Sequence, residues 1–403
     1  MTLAGPMAPT AALRASRVRL HNQVAATLVI AGAVAGLTTG FVALAANRLV
    51  PGTPITLADA APAALTAVIA LLGAALVVLS LMPPRLLVHR IAALAAGVLL
   101  ICVLEAAGQA ATKLTADAPA LATVSLGAGF WVIFACAALA LIDTLQRAAT
   151  RPPVQLLIVL AAAAIFIAMA KTGMFDALSL AREYAGRQQV FAAAVTRHIA
   201  LVTGAIVPAL LIGVPLGIAA LRRRSFEAPL FTVLNLLQTI PSIALFGLLI
   251  APLSGLAIAV PVLGAIGVAG VGPAPAIIAL ILYALLPIAR NTLAGIGGVS
   301  PAAIDAARGM GMTHRQVFWR IEVPLALPVL LAGLRIVTVQ AIGLTVVAAL
   351  IGAGGLGSFV FDGLGQYATD LVLLGALPAI LLALIADFLL RLAAGGLRRR
   401  FAP

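Results

Sequence analysis

Charge is the scarcest commodity in this chain. Asp, Glu, Lys and Arg make up 9% of its 403 residues, against about 25% in soluble domains, so a soluble globular protein is excluded. Aromatic residues are 5% and unclustered, which leaves no cage for a cation. The two cysteines, Cys102 and Cys136, fall in apolar segments at a spacing that suggests no metal site. The four histidines, His21, His89, His198 and His314, read as lying near span ends, and none has a paired nucleophile. No Gly-x-x-x-x-Gly-Lys-Ser/Thr phosphate loop occurs, so the chain does not hydrolyse ATP unaided. Its energy comes from a partner or an ion gradient.

What the chain does have is apolar length. Hydrophobic residues are 63% and the mean hydropathy is +1.19. A helix needs about 20 apolar residues to cross a bilayer, and lipid demands internally satisfied backbones. The segments lack period-2 alternation, so the spans are helices. Ten are predicted, near 24–45, 63–81, 91–108, 122–143, 154–170, 201–221, 230–250, 276–290, 326–350 and 371–390. The ninth starts after Pro324 and Pro328, with its first turns along the membrane surface.

The net charge of +13 is spread in short runs between spans. Nucleic-acid binding needs it gathered on one soluble face. Arg14, Arg17, Arg19, Arg85, Arg90, Arg147, Arg151, Arg222-Arg223-Arg224, Arg290, Arg391 and Arg398-Arg399-Arg400 share one side with the 291–323 loop, which adds Arg308, Arg315 and Arg320. Arg48, Lys113, Lys171, Arg182, Arg187 and Arg197 take the other. The bias of roughly three to one makes the first side cytoplasmic, with both termini inside.

The first span has a basic start and Ala43-Leu44-Ala45 beyond it, as a signal peptide has. Its apolar run is too long for a typical signal core. Gly32, Gly36 and Gly40 argue for a packed seam. Residues 173–200 mix polar and apolar positions at helical spacing, as an interfacial amphipathic helix or a solvated connector. Beyond them, proline enters the spans at Pro208, Pro215, Pro241, Pro252, Pro261, Pro287 and Pro328. Kinked helices line cavities or move, so this half is the working part. On span seven Asn235, Gln238, Thr239 and Ser242 share one face beside Pro241, which should open the helix and expose carbonyls, either lining a pathway or joining helices. Glu105 reads as snorkelling to water, Asp387 as paired with Arg391 one turn on, and Arg335 as reaching the inner surface. Gly352-Ala353-Gly354-Gly355-Leu356-Gly357 matches a dinucleotide fingerprint by letter only, since no strand is expected before it. It reads instead as flexible backbone at the outer mouth.

The polar loop 291–323 stands apart. A plain connector would explain its helix caps but not its length, since connections between packed helices run to about 2–8 residues. Ser300 with Pro301 starts a helix whose Ala302, Ala303, Ala306, Ala307 and Met310 form one smooth face. Gly309 and Gly311 end it. Thr313 to Gln316 is a capping box for a second helix that buries Val317, Phe318 and Ile321 and stops at Pro324. The pair suits docking to another protein.

Within it, Asp305-Ala306-Ala307, three residues, Gly311, nine residues, Ile321-Glu322-Val323-Pro324 resembles the Glu-Ala-Ala loop of binding-protein-dependent ABC importer permeases. It departs in Asp305 for Glu and Val323 for Leu. The resemblance implies an all-α polytopic membrane protein of about ten transmembrane helices, the C-terminal five forming the MetI-like permease core. Asp305, Ala306, Ala307, Gly311, Ile321 and Pro324 would couple it to a cytoplasmic ABC ATPase dimer. That dimer would hold ATP and Mg, with no cofactor on this chain. An extracytoplasmic binding protein and a second permease subunit, the same or related, complete the implied assembly in a bacterial inner membrane. Asn235 to Ser242, Leu285 to Thr292 and Ile351 to Gly357 look like the osmoprotectant branch, which carries glycine betaine, choline, carnitine or proline. The first five spans resemble only an N-terminally extended group, by length and helix count. The implied division is an accessory region 1–172, an extracytoplasmic connector 173–200, a core 201–390 with its cytoplasmic loop, and a basic tail 391–403. The alternative is an ion-coupled transporter of five-plus-five helices, which the proline asymmetry between the halves opposes.

Overall fold

In the computed structural model residues 20–401 are described, apart from 49, 117, 120, 151 and 266. Arg14, Arg17, Arg19 and Arg151 and the side chains of Arg398-Arg399-Arg400, all part of the charge bias, lie outside the described residues. The chain forms two compact units that divide between Ser179 and Leu180.

The first unit contains α1 (Gln23–Thr38), β1 (Val42–Ala45), β2 (Thr53–Ile55), α2 (Leu57–Ala60), α3 (Ala63–Leu81), α4 (Leu86–Ala116), β3 (Thr123–Leu126), α5 (Ala128–Arg147) and α6 (Pro152–Lys171). Asn22 caps α1, its side chain accepting from the Ala25 N–H. The expected span 24–45 ends early, because residues 42–45 are a strand. The strands pair antiparallel in the order β2-β1-β3, with Val42 opposite both Ile55 and Leu126. This small sheet was not expected, and it also shortens the fourth span, which begins at Ala128 and not at 122. Gly32 and Gly36 do form a seam: a methyl group at either would touch Cys136 or Ile133 of α5, at 3.5 and 3.3 Å. Gly40, expected in the same seam, lies past the end of α1 and packs against Pro54. Asn22 donates to Asp143 at 2.7 Å and Arg147 pairs with Asp143 at 2.9 Å, tying α1 to α5. Glu105 accepts from Gln109 one turn on, at 2.8 Å.

From Ser179 onward come α7 (Ser179–Ala185), α8 (Gln188–Arg222), α9 (Arg224–Thr239), α10 (Ser242–Ala259), α11 (Pro261–Ala265), α12 (Pro273–Gly297), α13 (Pro301–Gly309), α14 (His314–Val317), a π turn (Phe318–Glu322), α15 (Val323–Val347), α16 (Leu356–Gly365) and α17 (Thr369–Phe401). Residues 173–200 are not one connector helix. Nothing breaks the chain between Gln188 and Arg222, so their last part is the start of α8. The core gathers α8, α12, α15 and α17, drawn close by glycine. A Cβ at Gly217 would lie 2.6 Å from the Ala289 carbonyl oxygen, and one at Gly333 2.5 Å from Asn291 Cγ. Small residues of this kind let membrane helices approach.

Two expected spans are decided here at proline. Span seven, placed over 230–250, is opened at Pro241 as expected and splits into α9 and α10. Ile240 is extended (φ −69°, ψ 125°) and Pro241 starts α10, because the residue before proline is pushed out of the helical region. Pro324 was expected to stop a helix and does not. It sits directly after the π turn, at the start of α15, and the helix runs on through it. Among the described residues nine helices are long and apolar enough to cross a membrane, while α1 is apolar but has 16 residues.

Candidate functional site

The polar loop is built from α13, α14 and the π turn. Ser300 occupies the N-cap of α13 with Pro301 next, although its hydroxyl makes no capping bond. Gly309 is the last helical residue, and the reversal falls on Gly311, whose φ of +82° favours glycine. The capping box forms: the Thr313 N–H donates to Gln316 at 2.8 Å, and Thr313 accepts from the Gln316 N–H at 3.4 Å. The second helix is not a separate rod, since α14 runs through the π turn into α15.

The small-residue face divides. Ala307 is 0% exposed and turned into the protein with Val317, whereas Ala302, Ala306, Asp305 and Met310 are exposed, Met310 at 71%. Asp305 reaches Arg308 at 4.0 Å. Ile321 and Pro324 are half-buried, as is Phe318. The exposed face of α13 therefore includes Ala302, Asp305, Ala306 and Met310, while Ala307 is turned inward. The Arg222 guanidinium lies 5.3 Å over the Phe318 ring, which places the pair beside the end of α8.

The span-seven cluster is also rearranged. Asn235, Gln238 and Thr239 lie on α9 and Ser242 opens α10, so the helix break takes Ser242 off their common face. Gln238 joins helices: its Nε2 donates to the Tyr283 carbonyl at 2.8 Å. That carbonyl is the one Pro287, four residues on, leaves without an N–H. The Tyr283 hydroxyl in turn donates to the Ile240 carbonyl, in the break itself. Asn235 accepts from Arg290 at 3.3 Å, and the Thr239 hydroxyl donates to the Leu236 carbonyl at 2.7 Å. Arg290 also covers the Phe231 ring at 5.2 Å, beside a cavity of about 520 Å³ between α9 and α12 that Arg224 and Glu227 border.

At the opposite end of α8, Gly352, Gly354 and Gly355 all have positive φ. A 3-10 turn and a helix precede them, not a strand. The loop is held and not loose: Arg197 donates to the Ala353 carbonyl at 3.1 Å. His198 is fully buried within α8 beside Gly355. Asp387 pairs with Arg391 as expected, and Arg335 joins it at 3.1 Å. Composition concealed this third member, because α15 and α17 are distant in sequence.

Residues 209–399 match the family described as binding-protein-dependent transport system inner membrane component. Residues 19–181 match the N-terminal domain of the ABC transporter permease YehY. The carnitine transport permease protein OpuCB of Listeria monocytogenes is 40% identical over 207 residues, 51% of this chain and 86% of that protein. The osmoprotectant import permease protein OsmW of Salmonella typhimurium is 42% identical over 194 residues, 48% of this chain and 85% of that protein. The choline transport system permease protein OpuBB of Bacillus subtilis is 37% identical over 196 residues, 49% and 83% of the two chains. These matches favour an ATP-driven importer over the ion-coupled alternative. The family works with an ATPase and a binding protein, and its description places it in the inner membrane. This chain belongs to the binding-protein-dependent transport system inner membrane components, as the permease of an ABC importer that carries a YehY-type N-terminal domain.

Proposed function

We propose that this permease moves osmoprotectant quaternary amines inward, with glycine betaine, carnitine and choline as the candidate cargoes. The named relatives support that cargo class. Two ATPase subunits on the cytoplasmic face hold ATP and Mg and grip α13 and α14, while this chain hydrolyses nothing. An extracytoplasmic binding protein delivers cargo, and a second permease subunit, this chain again or a related one, completes the pathway. Both termini are cytoplasmic. The five helices of 1–172 are an accessory region, and 201–390 is the permease core.

The observation that carries the reading is the surface of α13. Asp305, Ala306 and Met310 stand exposed on a short helix fixed from behind by Ala307, with arginines around its base. An exposed helix face on a rigid support suits insertion into a groove, because the backbone that presents it is already ordered before docking. Closing the ATPases on ATP displaces that helix, and α12 and α15 on either side of the loop carry the displacement into the core. The aromatic-poor interior makes only weak contacts with a quaternary amine, as release to the cytoplasm requires.

The test is ATP turnover of the complete reconstituted complex across a panel of amines with the binding protein present. Stimulation by betaine, carnitine or choline, and not by unrelated amino acids, is expected. Turnover indifferent to all of them would remove the cargo assignment.

A further inference from the structure

From His314 to Ile351 the chain stays helical, yet Phe318–Glu322 winds as a π turn. The Val323 N–H donates to the Phe318 carbonyl, five residues back. Pro324 follows at once and has no N–H for the Arg320 carbonyl four residues back. Such turns hold one residue more than an α turn and concentrate at functional positions.

The surplus residue decides which side chains share a face. An α-helix advances about 100° per residue, so Phe318 and Ala326, eight apart, would stand about 80° apart. Absorbing one residue leaves them about 20° apart. Both in fact pack on one cluster with Ile296 and Val299 at the end of α12, and Ala326 is 0% exposed. Upstream, buried Ala307 and Val317 fix α13 and α14. Two anchored bodies are thus joined by a single wide turn, bounded on one side by a proline.

We infer that this π turn is the joint between the gripped helix pair and α15. When the pair is pushed, the surplus residue is taken up or released at the turn. The pair then rotates by up to about 100° and shifts by about 1.5 Å against α15, and neither body unfolds. The motif ending Ile321-Glu322-Val323-Pro324 thereby gains a physical meaning: it keeps the wide turn where it is. The inference rests on the reading that an ATPase grips α13 and α14.

The test deletes Arg320, an exposed residue of the turn, in the full chain expressed with its ATPase and binding protein. ATPase capture on purification, ATP turnover and cargo uptake in proteoliposomes are read separately. Deletion removes the surplus and keeps Phe318 and Ala326 on one face. The complex should therefore assemble and hydrolyse ATP while uptake is lost. Uptake equal to wild type overturns the joint, and failure to assemble overturns it too, since alignment would then not have depended on a surplus residue. The companion variant inserts one alanine after Glu322, which turns Phe318 away from Ala326 by about 100°. It should still capture the ATPase but lose uptake, and wild-type uptake would contradict the geometry. If the unmodified chain captures no ATPase, the docking reading fails instead, whatever the variants do.

Discussion

Gln238 donates from its side chain to the backbone carbonyl of Tyr283 across 2.8 Å, and the Tyr283 hydroxyl returns a bond to the Ile240 carbonyl. Each bond serves a carbonyl at a proline-induced defect, one opposite Pro287 and one beside Pro241. The broken α9–α10 helix and α12, with Pro287 inside it, are thereby clamped at the same point.

Gln238→Leu should leave the Tyr283 carbonyl without its donor and cost about 1–3 kcal/mol. Pro287→Ala restores that carbonyl's own N–H, so the same substitution in that background should cost less. A double-mutant cycle of thermal unfolding in detergent reads the difference. Additivity would show that the two residues do not serve one carbonyl.

Ala306 and Ala307 are neighbours with opposite expected behaviour. Ala306→Arg should insert and fold normally but lose ATPase capture, because its side chain is on the offered face. Ala307→Arg forces a charge into a fully buried position and should lower expression and stability by several kcal/mol, about 3 or more. Fluorescence-detected size exclusion with ATPase pull-down separates the two. Equal behaviour would mean that α13 is oriented otherwise.

Gly311 has φ of +82°. Gly311→Ala should cost about 1–2 kcal/mol of left-handed strain, Gly311→Asn less, and Gly311→Pro should abolish transport, since proline holds φ near −65°. Uptake that ranks glycine, asparagine, alanine, proline supports the turn. A fully active proline variant would refute it.

Asp387 holds both Arg335 and Arg391. Asp387→Asn leaves two guanidiniums facing each other and should lower the melting temperature more than Arg335→Gln, which leaves one pair intact. The pairs are partly exposed, so each should contribute about 1 kcal/mol or less. A reversed order in a detergent melting series would remove the triad from the account.

Much of the core was legible because its signals are local. The helix Ala63–Leu81 was bounded by its apolar run alone, and the Thr313 capping box by four residues in a row. The Gly32 and Gly36 seam followed from spacing. What escaped depends on contacts made far away in sequence. The strand Val42–Ala45 looks like the end of an apolar span until β3, some 80 residues on, pairs with it. Alanine fits either face of α13, so only packing reveals that Ala307 faces inward. Pro241 reads as opening its helix and does so, whereas Pro324 reads as a stop and the helix continues through it. The difference lies in the π turn, which periodicity does not register.

Cross-linking of Met310 to the ATPase tests the central claim most directly. Met310→Cys is accessible on α13, whereas Cys102 is buried and Cys136 half-buried in apolar helices. In the reconstituted complex, a bifunctional thiol reagent should join Met310→Cys to a cysteine placed in the groove of the ATPase, with a yield that changes when ATP binds. A complex that imports cargo while Met310→Cys stays freely labelled and never joins the ATPase would contradict the account.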